Sequence, residues 1–473
     1  MKIRSAALGI LLAAHPALAQ DDPLARIAGA ASRGGAMTFL ETLTDTVGGR
    51  VTGSKELRAA SELILAELKK AGYAGERGAR FEEYPLESRW TRGPASGRIT
   101  APIERALVVG SYGWVPGTAG ETQAPLVDMG APAAADAALP AGVRGAAVLV
   151  DPQKAGVDPS FVMRAALAKR LADAGAAAML IPSDKPHRMV YTSGFGFYPR
   201  APLPVISVAK EDALLLRRLL VKGPVTVALD VHNAFDASPY RERNVLADLP
   251  GTSDEVVLIG AHFDSWDPAQ GANDDGSGVA AVLESARILR SLGVKPRRTI
   301  RFAFFSGEEE ACLGSRAYVK AHEGELDRLK AVLVMDEGAQ APRGLQLHGR
   351  ADLEAPVRRL LAPLAPFGAA ATNLAATFDQ DHGPFVVVGV PAMTLWVEEG
   401  DYDVNHHAVT DTLDKVDPRL LAADTAVLAS AAYLLANSET PIGRRLSLDE
   451  AQELLKKSGV EGTRRMVYAG SPR

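Results

Sequence analysis

Four short runs, apolar almost throughout, limit what this chain can fold into: E-V-V-L-I-G-A (255–261), T-I-R-F-A-F-F (299–305), A-V-L-V-M (331–335) and A-M-T-L-W-V (392–397). A strand without polar alternation has to be covered on both faces, as strands inside a parallel sheet are. After the first run, Val279, Val282, Leu283, Ala286 and Leu289 fall on one stripe of a helix. Strands alternating with helices predict an α/β fold whose central sheet is mostly parallel and flanked by helices. In such sheets ligands sit beyond the carboxyl ends of the strands. The residues following each run are therefore where chemistry is to be sought.

Upstream the composition changes. Residues 54–71 read as an amphipathic helix, with Ser54 as N-cap and Gly72 as the stop. From about 93 to 145 the chain is rich in Pro, Gly and Ala, with strand-like pieces such as 106–109. Strands at 145–151, 176–181, 203–208 and 225–231, with helices near 161–174 and over 211–221, form a compact set without candidate chemistry. We read 106–235 as a smaller mixed α/β module inserted between two parts of the main domain, 20–105 and 236–440. A helical tail, 441–473, carries a capping box of Ser447 and Glu450.

Residues 1–19 have the pattern of a secretory signal: Lys2 and Arg4, an apolar stretch, then Ala17-Leu18-Ala19 as a cleavage site. The expectation is export, to the periplasm or outside the cell, without a membrane span in the mature chain. Without Lys2 and Arg4 the formal charge of −5 becomes about −7, and no basic cluster is present. That balance argues against nucleic acid as a partner. The single cysteine, Cys312, excludes an intrachain disulfide, and we expect it to pack as a small apolar residue.

The chemistry gathers in five segments: A-H-F-D-S (261–265), G-A-N-D-D-G-S-G (271–278), S-G-E-E-E (306–310), V-M-D-E-G (334–338) and H-H-A-V-T-D-T (406–412). Imidazoles and carboxylates from five places suit two zinc ions sharing a bridging carboxylate, a site that activates water for hydrolysis. His262 and Asp264 lie two apart on an extended segment and share a face, so Asp264 is expected to steady the His262 ring. Asp274 precedes a helix, where the helix dipole alone would also favour an aspartate. Adjacent Glu308 and Glu309 would repel each other without cations. A division of labour removes the difficulty: Glu309 binds metal and Glu308 acts as the base. Glu310 is expected to be a solvated acidic residue. Asp336 and one of His406 and His407 complete the set, with Asp411 expected to orient the histidine; spacing does not choose between the two. There is no H-E-x-x-H helix and no G-x-S-x-G, which excludes a one-zinc site of the first type and leaves a serine triad without support.

Together H-F-D-S-W-D (262–267), Q-G-A-N-D-D-G-S-G (270–278), G-E-E (307–309), Asp336 and H-H-x-x-x-D-T (406–412) resemble the co-catalytic zinc exopeptidases, and S-W-D with the doubled His resembles their carboxypeptidase subgroup. The resemblance implies that His262, Asp274, Glu309, Asp336 and His407 bind two zinc ions, with Asp274 as the bridge. It implies Glu308 as general base, Asp264 as support for His262, and His407 rather than His406 as ligand. It also implies a protease-associated domain for the insert, a substrate role for Asp381 and His382, peptide substrates and a homodimer. Dipeptides or short peptides with free termini are the expected substrates. The alternatives are an aminopeptidase on longer peptides, a glutaminyl cyclase-like transferase with one zinc, and a non-catalytic binding ectodomain with eroded ligands.

Overall fold

The computed structural model describes residues 22–459 apart from 133, 152–159, 195 and 399; the expected signal, 1–19, lies outside the described residues. The main sheet has eight strands, in the order Arg80–Leu86, Tyr240–Leu249, Thr299–Phe305, Val256–His262, Leu329–Val334, Ala392–Val397, Pro342–Gln346 and Ala371–Asn373. The four central strands, from Thr299–Phe305 to Ala392–Val397, are parallel. Antiparallel pairings join the strands on either side to them.

The apolar runs are explained by two cores, one on each face. Val257, Ile259 and Ala261 enter one core, and so do Ile300, Phe302, Phe304, Ala331 and Leu333. Leu258, Ala303, Phe305, Val332 and Val334 enter the other. Alternate side chains of a strand point to opposite faces, so a strand between two cores needs apolar residues at every position. Helices Pro23–Ala31, Gly35–Thr46, Lys55–Lys70, Gly278–Ser291, Ala351–Leu361 and Pro418–Asn437 contribute to the first core. Leu313–Ala321, Gly383–Val387 and Leu448–Lys457 contribute to the second. Pro418–Asn437 is the one helix among the described residues long and apolar enough to cross a membrane. It packs instead against Gly278–Ser291 and Pro23–Ala31, with 67% of its most apolar window buried.

Arg301 is the exception inside an apolar run, and its partner explains it. Its Nε and Nη2 each donate to Asp248 at 2.8 Å, and Nη1 donates to the Tyr318 hydroxyl at 2.8 Å. Both ends of the pair are buried. Asp248→Ala would leave a buried guanidinium unpaired and is expected to cost about 3–5 kcal/mol, read as a lower urea midpoint.

A second eight-stranded sheet has the order Arg105–Leu107, Ala95–Ala101, Thr226–Val231, Thr122–Gly130, Ala147–Val150, Ala178–Pro182, Val205–Val208 and Val109–Ser111. It takes in Ala95–Ala101, upstream of the boundary at 106 expected for the insert. In A-S-G-R-I-T-A only Gly97 and Ile99 are buried, so this strand carries little apolar signal. The tail helix begins at the capping box as read: the Ser447 side chain accepts from the Glu450 backbone N–H, and Glu450 accepts from the Ser447 N–H.

Candidate metal centre

His262 is the last residue of its strand, and its backbone N–H donates to Asp275 Oδ2 at 3.2 Å. Its Nε2 lies 3.2 Å from Asp274 Oδ1 and 3.2 Å from Asp336 Oδ1. Asp336 stands two residues past the strand Leu329–Val334. Asp274 occupies the tight turn ahead of Gly278–Ser291, but it is Asp275 that serves the helix terminus, accepting from the Gly278 N–H at 3.0 Å. Asp274 is thereby left free for another role.

That role shows in its geometry. While Asp274 Oδ1 faces His262, its Oδ2 lies 3.1 Å from His407 Nε2 and 3.6 Å from His406 Nε2. His407 Nε2 is also 2.9 Å from Glu309 Oε2. Ligand atoms of His262, Asp274 and Asp336 lie within 4.8 Å of one another, and so do those of Asp274, His406 and His407. Asp274 belongs to both groups. His407 faces two carboxylates at these distances, whereas His406 stands farther from Asp274 and stacks on Tyr402.

The turn carrying Glu308 and Glu309 depends on Gly307, whose φ is +74°. A Cβ there would stand 2.9 Å from Leu313 Cβ and 3.0 Å from the Tyr84 hydroxyl, so glycine is required. Asp264 holds this turn: its Oδ1 accepts from the Glu308 N–H and its Oδ2 from the Glu309 N–H, both at 3.2 Å. Thr52 Oγ1 donates to Asp264 Oδ2 at 3.2 Å. His262 Nδ1 is 3.1 Å from the Asp264 carbonyl oxygen and 3.6 Å from its carboxylate. The residue expected to steady His262 thus does so chiefly through its backbone, while its side chain fixes both glutamates.

Three further expectations change. Glu310 is 1% exposed rather than solvated, and Trp114 Nε1 donates to its Oε1 at 2.5 Å. Asp411 does not orient His407; its carboxylate accepts from the backbone N–H of Asn273 at 2.7 Å and of Asp274 at 3.2 Å, fixing the Asp274 turn. The group beside His407 Nδ1 is the Tyr191 hydroxyl, at 3.2 Å. Tyr191 comes from the region read as free of chemistry. No motif marks it in H-R-M-V-Y-T-S (187–193), and only the fold brings it to the site. Cys312 is buried, as expected, with Sγ 3.8 Å from Glu308 Oε1.

The charges fit bound cations. Burial pushes the Glu309 carboxyl up to about 7 and that of Asp336 to about 6. Burial also drives the Glu308 carboxyl well above its ordinary range, with Asp336, Glu309 and Asp381 adding to the rise and His262 opposing it. Arg50, buried beside the cluster, spends its guanidinium on the carbonyls of Gly48, Phe263, Gln270 and Gly271. Among the described residues Glu309 Oε1 is buried without a partner, while Oε2 accepts from Trp266 Nε1 at 2.6 Å. An orphaned carboxylate oxygen among imidazoles and further carboxylates is what an N/O-ligated divalent ion would satisfy.

Glu308, Glu309, Asp274, Asp336, His406 and His407 open onto one cavity of about 540 Å³. Arg164, Tyr191 and Ser193 form part of its wall, and Thr377, Asp379 and Gln380 another part. Asp381 and His382, expected at the substrate, do not line it. Both are fully buried behind the wall, Asp381 accepting from Ser315 Oγ at 2.5 Å and His382 stacked on His348 with ring centroids 3.7 Å apart.

The sequence model of peptidase family M28 matches residues 244–432. Carboxypeptidase Q of Mus musculus is 29% identical over 424 residues, 86% of each chain. The probable lipoprotein aminopeptidase LpqL of Mycobacterium tuberculosis is 32% identical over 355 residues, 67% of each. The crystal structure of a peptidase M28 precursor from Shewanella amazonensis superposes with a TM-score of 0.79 at 28% identity, covering 91% of this chain and 99% of that one.

Proposed function

The chain belongs to peptidase family M28, and from that premise we propose that it is an exported two-zinc exopeptidase cleaving dipeptides or short peptides with free termini. The observation that carries this reading is Asp274, whose two oxygens face His262 on one side and His407 on the other. His262 and Asp336 would hold one ion, His407 and Glu309 the other, and Asp274 both. Zinc at such a site polarises the scissile carbonyl and lowers the pKa of water.

The chain's own groups do the rest. Glu308 lines the cavity, and the contacts that gather the five ligands leave its carboxylate out. That carboxylate takes a proton from the attacking water and passes it to the leaving nitrogen. Asp264 positions it by gripping the backbone of residues 308 and 309. Asp264→Ala is therefore expected to slow hydrolysis by about 10–100-fold. The loss should appear in kcat with KM little changed, because no substrate contact is removed.

The substrate class rests on the cavity. Its volume of about 540 Å³ suits a small ligand, and Arg164, Tyr191 and Ser193 close one side of it. The relatives named carboxypeptidase Q and the relative named aminopeptidase both support exopeptidase action, and the latter favours the second reading, removal of N-terminal residues, here from longer peptides. Chelation followed by zinc re-addition, assayed on free dipeptides, N-blocked dipeptides and longer peptides, separates the two. Zinc-dependent cleavage confined to free dipeptides supports the first; preferential release of N-terminal residues from longer peptides overturns it. Export is tested by expressing the full chain and sequencing the mature N-terminus, expected to follow Ala19.

A further inference from the structure

We propose that Tyr191 is the positioning residue for His407, so that the second sheet's part of the chain completes one of the two metal positions and not the other. The inference rests on the two-zinc reading. A ligating imidazole is held by what its second nitrogen meets, commonly a carboxylate or a carbonyl. Asp411, four residues beyond His407, is occupied by the backbone of Asn273 and Asp274.

His407 Nε2 points at Asp274 and Glu309, so in the metal-binding tautomer Nδ1 carries the proton and donates to Tyr191 Oη at 3.2 Å. The two rings also pack, with centroids 5.3 Å apart. The guanidinium of Arg164 lies over the Tyr191 ring, 5.7 Å from its centre, and holds the ring in place.

The backbone gives a second, independent hold. His407 has a φ of +56°, in the left-handed region that non-glycine residues rarely adopt. Its carbonyl accepts from the Thr192 N–H at 3.0 Å. Adjacent residues thus grip the ring and the main chain of one ligand. They are themselves anchored. Thr192 Oγ1 donates to the Ser111 carbonyl and accepts from Arg92 Nη2, both at 3.1 Å, and Arg92 Nε donates to Asp267 at 2.7 Å. Among the described residues His262 has no comparable partner from this region; its Nδ1 meets the Asp264 carbonyl.

Tyr191→Phe keeps the packed ring and removes only the oxygen. In zinc-buffered titrations of the full chain, one of the two zinc ions is expected to bind about 10–100-fold more weakly than in wild type, and the other unchanged. In crystals equilibrated at low free zinc, the anomalous peak beside His407 should fade while that beside His262 persists. Unchanged affinity for both ions, or equal weakening of both, would overturn the proposal and leave the two-zinc reading standing. A wild-type chain that fails to bind two ions would overturn the two-zinc reading and this inference with it.

Discussion

Glu308→Gln is expected to lower kcat/KM by about 10²–10⁴-fold while both zinc ions stay bound. Glutamine matches the size of glutamate and leaves the backbone N–H to Asp264 Oδ1 in place, so the turn keeps its shape. What it loses is the capacity to take up a proton. Glu309 Oε2 stands 2.9 Å from His407 Nε2, whereas Glu308 lines the cavity with Cys312 Sγ 3.8 Å from its Oε1. The contrast between neighbours follows: Glu309→Gln is a change of ligand and should cost zinc, and Glu308→Gln should not. Steady-state kinetics paired with a metal count on the same sample distinguishes them. Near-wild-type turnover in Glu308→Gln would remove the residue from the mechanism.

Asp274→Ala is expected to abolish measurable turnover and to weaken both ions together. Asp274 is the one proposed ligand that turns an oxygen to each side, at 3.2 Å from His262 and 3.1 Å from His407. Removing it also leaves two imidazoles and the carboxylates of Glu309 and Asp336 without the group between them. The fold should survive, because the helix that follows is capped by Asp275 and the turn's backbone is held by Asp411. Circular dichroism unchanged from wild type, with zinc lost in two comparable steps, is the expected signature. Selective loss of a single ion would place Asp274 in one shell only.

Residues whose roles are set locally were legible in the sequence. Leu258 and Ile259 had to be buried on opposite faces, since nothing polar interrupts their run. His262, Asp336 and the Glu308–Glu309 pair stand just beyond strand ends, where α/β sheets place chemistry. Roles set by distant parts of the chain were not legible. Glu310 looks like a solvated turn until Trp114, 196 residues away, donates to it. Asp411 lies four residues from His407, yet the turn at 273–274 takes its carboxylate. Tyr191 has no neighbouring signal, because what recruits it is the docking of the second sheet's loop against the main sheet. Asp381 and His382 are polar residues in a cavity-forming loop, but Asp379 and Gln380 face the cavity and they do not.

The central claim is that two zinc ions share Asp274. Anomalous diffraction from crystals of the zinc-loaded chain, collected on both sides of the zinc absorption edge, tests it most directly. The account predicts two peaks per chain, one beside His262 and Asp336 and one beside His407 and Glu309, with an Asp274 oxygen on each. A single peak, or a second one away from Asp274, would contradict it.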